Sequence, residues 1–157
     1  MSEPTSSPDL PPVAGISHVG LSVADLDAAV DFWTRVMGFE VTTRMPGLCF
    51  VVHREARLGF GLTDHGGAAR GVFDERHTGL DHLALAVLDT GALQAWADRL
   101  DAHDVPNSGV VPTDSGWHLN VRGPDRFPLE LFVMSPAAAA AFGLDSPDQA
   151  VARSGRT

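Results

Sequence analysis

No lysine occurs among the 157 residues: all eleven basic side chains are arginines. That absence removes lysine Schiff-base chemistry and the phosphate-cradling loop that ends in a lysine. Tyrosine is also missing, and a single cysteine, Cys49, rules out an internal disulfide. Its setting in the apolar run LCFVV reads as a small buried hydrophobe rather than a reactive thiol. Positive charge is scarce against twenty acidic residues, for a formal net charge of −9. Phosphate backbones and anionic bilayers would be repelled on average, which argues against nucleic-acid or membrane partners and leaves a small-molecule ligand. No apolar run approaches the length of a membrane span. The opening MSEPTSSPDLPP has neither the basic nor the apolar region of a signal peptide, so a cytoplasmic location is expected.

The 44% hydrophobic and 20% charged residues that are present are ordinary for one compact domain. Pro and Ser dominate residues 1–14, which read as a mobile leader. From Pro136 the run PAAAAAFGL predicts a short helix, because Pro suits a first helical position and the alanines after it favour helix. The remainder, to residue 157, reads as a flexible tail.

Between these ends the chain nearly repeats itself. ISHVGLSV (16–23) and LDHLALAV (80–87) lie 64 residues apart and agree at His18/His82, Leu21/Leu85 and Val23/Val87. The match continues through Asp25/Asp89, Ala28/Ala92 and Arg35/Arg99, with Phe32 answered by Trp96. After the first copy, DLDAAVDFWTRVMGF takes helical spacing, with Leu26, Ala29, Val30, Trp33 and Met37 on one side and Gly38 at the C-cap. Strand-like FEVTTR, LCFVVH and RLGFGLT come next. The second copy repeats the order with a helix over TGALQAWADRLDAH, then SGVVPT, GWHLNVR and PLELFV. The predicted fold is α+β: two tandem βαβββ modules, 15–65 and 80–135, joined by a Gly-rich charged linker at 66–79. They would form one curved, barrel-like mixed sheet with the helices outside.

Strand alternation sorts the side chains into two sets. Val19, Leu21 and Val23 pack under the first helix, leaving His18, Gly20 and Ser22 on the concave face; Leu83, Leu85 and Val87 do the same, leaving His82, Ala84 and Ala86. In PLELFV, Glu130 and Phe132 turn into the concavity. Burying an ionised carboxylate without a partner costs several kcal/mol or more, so an inward Glu130 demands a cation, a donor or a proton. Two imidazoles and one carboxylate form a facial set that holds a divalent first-row metal with open positions. The competing reading has Glu130 hydrogen-bonded to two histidines around water. LEL at 129–131 answers FGL at 60–62, so Gly61 stands where a second carboxylate would lie, with Thr63 and His65 continuing on its face. His65 either reaches inward or caps the strand end in water. On GWHLNVR, alternation points His118, Asn120 and Arg122 inward and puts Trp117 on the helix side; Trp33 and Trp96 read as core.

HVGLSVADLDAAVDFWTRVMGFEV, GLDHLALAV and GPDRFPLELF together resemble the opening, second-module and closing motifs of the vicinal oxygen chelate superfamily. That family includes glyoxalase I, extradiol dioxygenases, fosfomycin resistance transferases and bleomycin resistance proteins. The resemblance covers residues 14–134. It implies His18, His82 and Glu130 as ligands of one divalent metal (Fe, Mn, Zn, Ni or Co). Gly61 replaces the acid of the four-ligand pattern, so true glyoxalase I activity is not expected. Extradiol enzymes place a tyrosine near the substrate and this chain has none; His118 would serve as acid/base in its place. Asn120, Arg122, Thr63, His65, Phe50 and Phe132 are the expected substrate contacts. The resemblance further implies a homodimer, with a site that closes within one chain or across two. A dioxygenase, lyase or isomerase is expected, or else a metal-free binding protein of the bleomycin resistance type.

Overall fold

A computed structural model describes residue 11 and residues 13–144. The expected leader and the tail beyond the last helix therefore fall mostly outside the described residues. Module one runs β1 (Val19–Ser22), α1 (Leu26–Asp31) continuing as a π-turn over Phe32–Val36, then β2 (Glu40–Met45), β3 (Leu48–His53) and β4 (Leu58–Thr63). Module two runs β5 (Leu83–Ala86), α2 (Thr90–Ala102), β6 (Val111–Thr113), β7 (Gly116–Arg122) and β8 (Pro128–Met134). A last helix, α3 (Pro136–Phe142), starts on the expected proline and ends at Gly143 in a left-handed conformation.

The strands form two four-stranded mixed sheets, β1-β4-β3-β2 and β5-β8-β7-β6, in which the first strand of each module runs parallel to the last. They do not close into a barrel: β2 and β6 stand at the outer edges.

The repeat's identities have structural causes. Asp25 and Asp89 are the N-caps of their helices, each carboxylate accepting from the backbone N–H three residues on, Ala28 at 3.0 Å and Ala92 at 2.8 Å. Such a cap contributes about 1 kcal/mol. Arg99 reaches across the modules to the end of the first helix, donating to the Val36 carbonyl at 2.7 Å and the Arg35 carbonyl at 2.6 Å. Those carbonyls lack partners within the helix and carry its negative end, so a guanidinium suits them. One core therefore spans both modules, with Phe60 and Leu62 joined to Leu93, Leu100, Leu119 and Leu129 at 1% exposure or less. Each such side chain contributes about 1.5–3 kcal/mol through burial.

The first helix departs from regular spacing. Met37 N–H bonds back five residues to Phe32 O at 3.0 Å. This wider turn brings Phe32 and Val36 into the core beside Trp33 and Met37, a broader face than a period of 3.6 predicts. Cys49 is fully buried, and burial pushes its thiol pKa up, as its apolar setting suggested. Trp33 is core, and Trp96 is half-buried at the margin of that core. Trp117 is not core: it shares the face of buried Leu119 and Val121 but is 41% exposed, near the open start of β7 opposite Val133. Among the described residues no helix is long and apolar enough to cross a membrane.

Candidate metal and ligand site

The strand register places the two halves of the repeat on equal terms. Gly20 pairs with Gly61 between β1 and β4, and Ala84 pairs with Glu130 between β5 and β8. Gly61 is thus the positional counterpart of Glu130, as the FGL/LEL alignment requires. Alternation also holds: Leu21 and Val23 are buried, while His18, Gly20 and Ser22, like His82, Ala84 and Ala86, are exposed on the opposite face.

In module two the polar side chains form a chain of contacts. Glu130 is only 14% exposed, and its Oε2 lies 3.2 Å from His82 Nε2 while its Oε1 lies 3.3 Å from His118 Nδ1. Each carboxylate oxygen is thereby approached by an imidazole nitrogen, and protonation of His82 would offset the cost of burying the charge. The far nitrogen of His82, Nδ1, lies 2.6 Å from Asp81 Oδ2. A carboxylate only accepts, so Nδ1 carries a hydrogen, and Nε2, facing the second carboxylate of Glu130, is favoured to carry one as well unless a metal takes its place. The His82 pKa is raised, first by the hydrogen bond to Asp81 and then by the charges of Glu130 and Asp81, against the opposing effect of partial burial. Asn120 lies beside Glu130 in the β7/β8 register, and Phe132 lies between Ala86 and His118.

A cleft of about 540 Å³ lies between the modules, lined by Ala84, Ala86, Leu85 and Val87 on one side and by Phe39, His53 and Leu58 of module one on the other; His82, His118 and Glu130 are not part of its wall. That volume lies within the ~300–1,000 Å³ typical of small-molecule sites.

Module one carries a different set. His18 Nδ1 contacts Ser17 Oγ at 3.2 Å, and its ring meets the Phe50 ring edge-on with centroids 5.7 Å apart. Phe50 lies over the two glycines of β4: a Cβ at Gly61 would sit 3.5 Å from its ring and one at Gly59 would sit 3.0 Å away. A side chain at Gly61 would therefore run alongside an aromatic ring. His65, with φ +55°, turns back so that Nε2 lies 2.8 Å from Ser22 Oγ, and its backbone N–H donates to Thr63 Oγ1 at 3.1 Å. His65 stays exposed at the end of β4, and it also borders a separate cavity of about 310 Å³ lined by Phe32, Trp33, Phe73 and Phe127.

The side chains singled out from sequence thus fall into groups. His82, Glu130, His118, Asn120 and Phe132 are brought together; His18 and Phe50 form a pair in module one; Thr63 and His65 lie at the end of β4. Arg122 is engaged by the linker, with Nη2 2.5 Å from Glu75 Oε1. Within one copy, and among the described residues, no three His, Cys, Asp or Glu side chains gather around a common point. Sequence reasoning missed two participants. Asp81 is adjacent to His82 and answers Ser17 in the repeat, a signal that was available. Glu75 carries no pattern at all in the linker.

Imidazole and carboxylate are donor types that suit a divalent first-row metal, and within one copy His82 and Glu130 are the members of the expected set that lie side by side. Comparison with known proteins gives the family. The family model described as the Glyoxalase/Bleomycin resistance protein/Dioxygenase superfamily matches residues 15–131. No curated protein matches the chain. Among solved structures, a glyoxylase/bleomycin resistance protein/dioxygenase domain from Frankia sp. is 27% identical, covering 79% of this chain and 100% of that one, with a TM-score of 0.67. A lactoylglutathione lyase from Agrobacterium tumefaciens is 23% identical over 78% and 96% of the two chains (TM-score 0.64), and a genomically encoded fosfomycin resistance protein from Listeria monocytogenes is 17% identical over 80% and 98% (TM-score 0.62). The last two show likeness of fold alone.

Proposed function

The chain belongs to the Glyoxalase/Bleomycin resistance protein/Dioxygenase superfamily, and on that premise we propose that it is a divalent-metal enzyme acting on a small oxygen-bearing substrate. The observation that carries this reading is Glu130, little exposed and approached on both oxygens by imidazoles, with Ala84 on one side of it and Asn120 on the other. His82 and Glu130 would hold the metal, with His18 as the third ligand. A bound metal would supply Lewis-acid stabilisation of a developing oxyanion through its open positions.

The protein's own groups do the rest. Asp81 holds His82 with Nδ1 protonated, so that Nε2 is the nitrogen available as a ligand. His118 is the acid/base: its Nδ1 lies 3.3 Å from Glu130 Oε1, and a proton held on that side would leave Nε2 to take a proton from substrate and return it. Asn120 adds hydrogen-bonding capacity beside Glu130, and Phe132 and Phe50 supply apolar contact.

A homodimer accounts for the position of His18, which stands apart from His82 and Glu130 within one copy; module one of one chain would complete module two of the other. The edge strand β2 supports this, since it is exposed along its whole length with Val41 and Met45 at 45% and 50%.

A second reading has its own observation. A protonated His82 between Asp81 and Glu130 would offset the buried carboxylate without a metal, and half-buried Phe50 and Phe132 face the concavities, as a metal-free protein that stacks planar molecules would need.

Metal content separates the two. Protein purified without chelators and assayed by plasma mass spectrometry is expected to hold near-stoichiometric metal, lost in His82→Ala and Glu130→Ala and weakened in His18→Ala. A wild-type protein that stays empty after reconstitution with Fe(II), Mn(II), Zn(II), Ni(II) and Co(II) would falsify the enzyme reading. Sedimentation of the same samples tests the dimer, and an unchanged pH–rate profile in His118→Gln would remove that residue from the chemistry.

A further inference from the structure

We propose that Arg122 is the anion-recognition point of the module-two site, and that Glu75 of the linker occupies it as a built-in carboxylate that a ligand's carboxylate must displace. The proposal rests on the reading of the module-two face as a ligand site, but not on the metal.

Arg122 lies on β7 in the same alternation row as His118 and Asn120, and Asn120 is the cross-strand partner of Glu130. Two residues along a strand span about 7 Å. The Cα of Arg122 is therefore about that far along β7 from the Cα of Asn120, and the guanidinium at the end of its side chain sets how far a bound group lies from Glu130. The guanidinium is already engaged by both oxygens of one carboxylate, Nη2 to Glu75 Oε1 at 2.5 Å and Nη1 to Glu75 Oε2 at 3.3 Å, while Nη1 also contacts the Arg126 carbonyl at 3.3 Å. This two-point contact is the manner in which arginine selects carboxylates over point acceptors.

Glu75 is not held there by secondary structure. It belongs to the loop between β4 and β5 and is separated from Arg122 by 47 residues. Two residues earlier the loop is anchored, with Phe73 N–H donating to Asp125 O at 2.7 Å and the Phe73 ring packed against Phe127 with centroids 5.6 Å apart. Exchange of Glu75 for a ligand carboxylate leaves the charge at Arg122 unchanged and keeps that anchor, so only the segment after Phe73 has to move. The ligand class this selects is a small carboxylic acid bearing a second oxygen function a few bonds away, with the acid on Arg122 and the other oxygen toward Glu130.

Malonate is the probe, titrated into the full-length protein by calorimetry, with inorganic phosphate as a second arm. Glu75→Gln is expected to bind malonate at least fivefold more tightly than wild type, and Arg122→Gln to lose saturable binding in both backgrounds. Glu75→Gln should also speed tryptic cleavage after Arg76. Malonate binding that ignores either substitution overturns the proposal, as does phosphate binding more tightly than malonate in Glu75→Gln. Should Arg122→Gln not fold, Arg122→Lys keeps the charge without the two-point geometry; it must weaken malonate at least tenfold in the Glu75→Gln background, and no change would overturn the assignment. Metal content separates failures: Arg122-dependent malonate binding in a protein that takes up no metal sinks the metal reading alone, and a metal-loaded protein indifferent to Arg122 sinks this one alone.

Discussion

In module one, β1 and β4 set Gly20 beside Gly61; in module two, β5 and β8 set Ala84 beside Glu130. The backbones are matched residue for residue, yet the surroundings diverge. Across from Gly61 stands Phe50, whose ring covers the glycine, and across from Glu130 stands Asn120. The histidines diverge as well: His18 is met by the Ser17 hydroxyl at 3.2 Å and His82 by the Asp81 carboxylate at 2.6 Å. Ser17 and Asp81 are counterparts in the repeat. Duplication supplied two equal concave faces; one kept an aromatic shelf, and the other accumulated the charged groups. A fold of this kind positions chemistry by its register, whereas the chemistry itself depends on a handful of side chains at fixed register positions.

The sharpest way to break the comparison is at the residue preceding each histidine. Partners on the far side of a ligating imidazole typically change metal affinity by about 10–100-fold when removed. Asp81→Asn is expected to weaken Zn(II) or Co(II) binding within that range, measured by competition with a chromophoric chelator, because the amide no longer demands a hydrogen on Nδ1. Ser17→Ala should change affinity less than about twofold, since a hydroxyl can donate or accept and imposes no tautomer. Equal losses in the two variants would mean that the difference between carboxylate and hydroxyl does not matter to the site.

Much of this contrast was legible in the sequence, and the reasons are local. The strand alternation that buries Leu21 and Val23 while exposing His18 and Gly20 follows from a period of two, and the Asp25 and Asp89 caps from their place before each helical run. The alignment of FGL with LEL identified Gly61 as the vacant carboxylate position because register is a property of the duplicated backbone. Other features depended on neighbours through space. The π-turn that turns Phe32 inward, the exposure of Trp117 and the return of His65 to Ser22 are tertiary outcomes that no spacing rule contains. The approach of His118 to Glu130, and not of His18, required the sheets themselves. Arg122 was read as inward-facing, but its carboxylate partner comes from a linker whose path is fixed only by its contacts with the turn at Phe127.

A smaller effect tests whether Phe50 is what keeps module one apolar. Gly61→Glu alone puts its Cβ in ordinary contact with the Phe50 ring, 3.5 Å away, and the buried carboxylate beyond it must find room along that ring without a partner; burying an unpaired carboxylate costs several kcal/mol. A lowered midpoint in urea unfolding is the expected result, with no gain in metal affinity. Gly61→Glu combined with Phe50→Ala opens the space, and the added carboxylate should tighten Zn(II) about tenfold, equivalent to about 1.4 kcal/mol. If the double variant binds metal no better than wild type, the Gly61 position does not face the metal that Glu130 serves.

The smallest effect concerns the tether that module two has and module one lacks. Glu75's pKa is lowered from its ordinary 4.5, first by the Arg122 hydrogen bond and also by the Arg122 charge, against the charge of Asp74. A carboxyl depressed on folding contributes stability that is present above its unfolded value and is lost as pH falls through its folded one. The contact should therefore hold at pH 6 and weaken only below about pH 4.5. Asp74, lowered to about 2 by Arg76, stays ionised through that window and does not confuse the result. Hydrogen exchange at residues 74–79, corrected for intrinsic rates, is expected to rise a few-fold between pH 5 and pH 3.5 in wild type. In Glu75→Gln it should be fast throughout and flat with pH, because the amide has no charge to lose. A wild-type profile as flat as that of the variant would mean that Glu75 does not hold the linker to Arg122 in solution, and the asymmetry between the modules would then reduce to Glu130, Asp81 and Phe50.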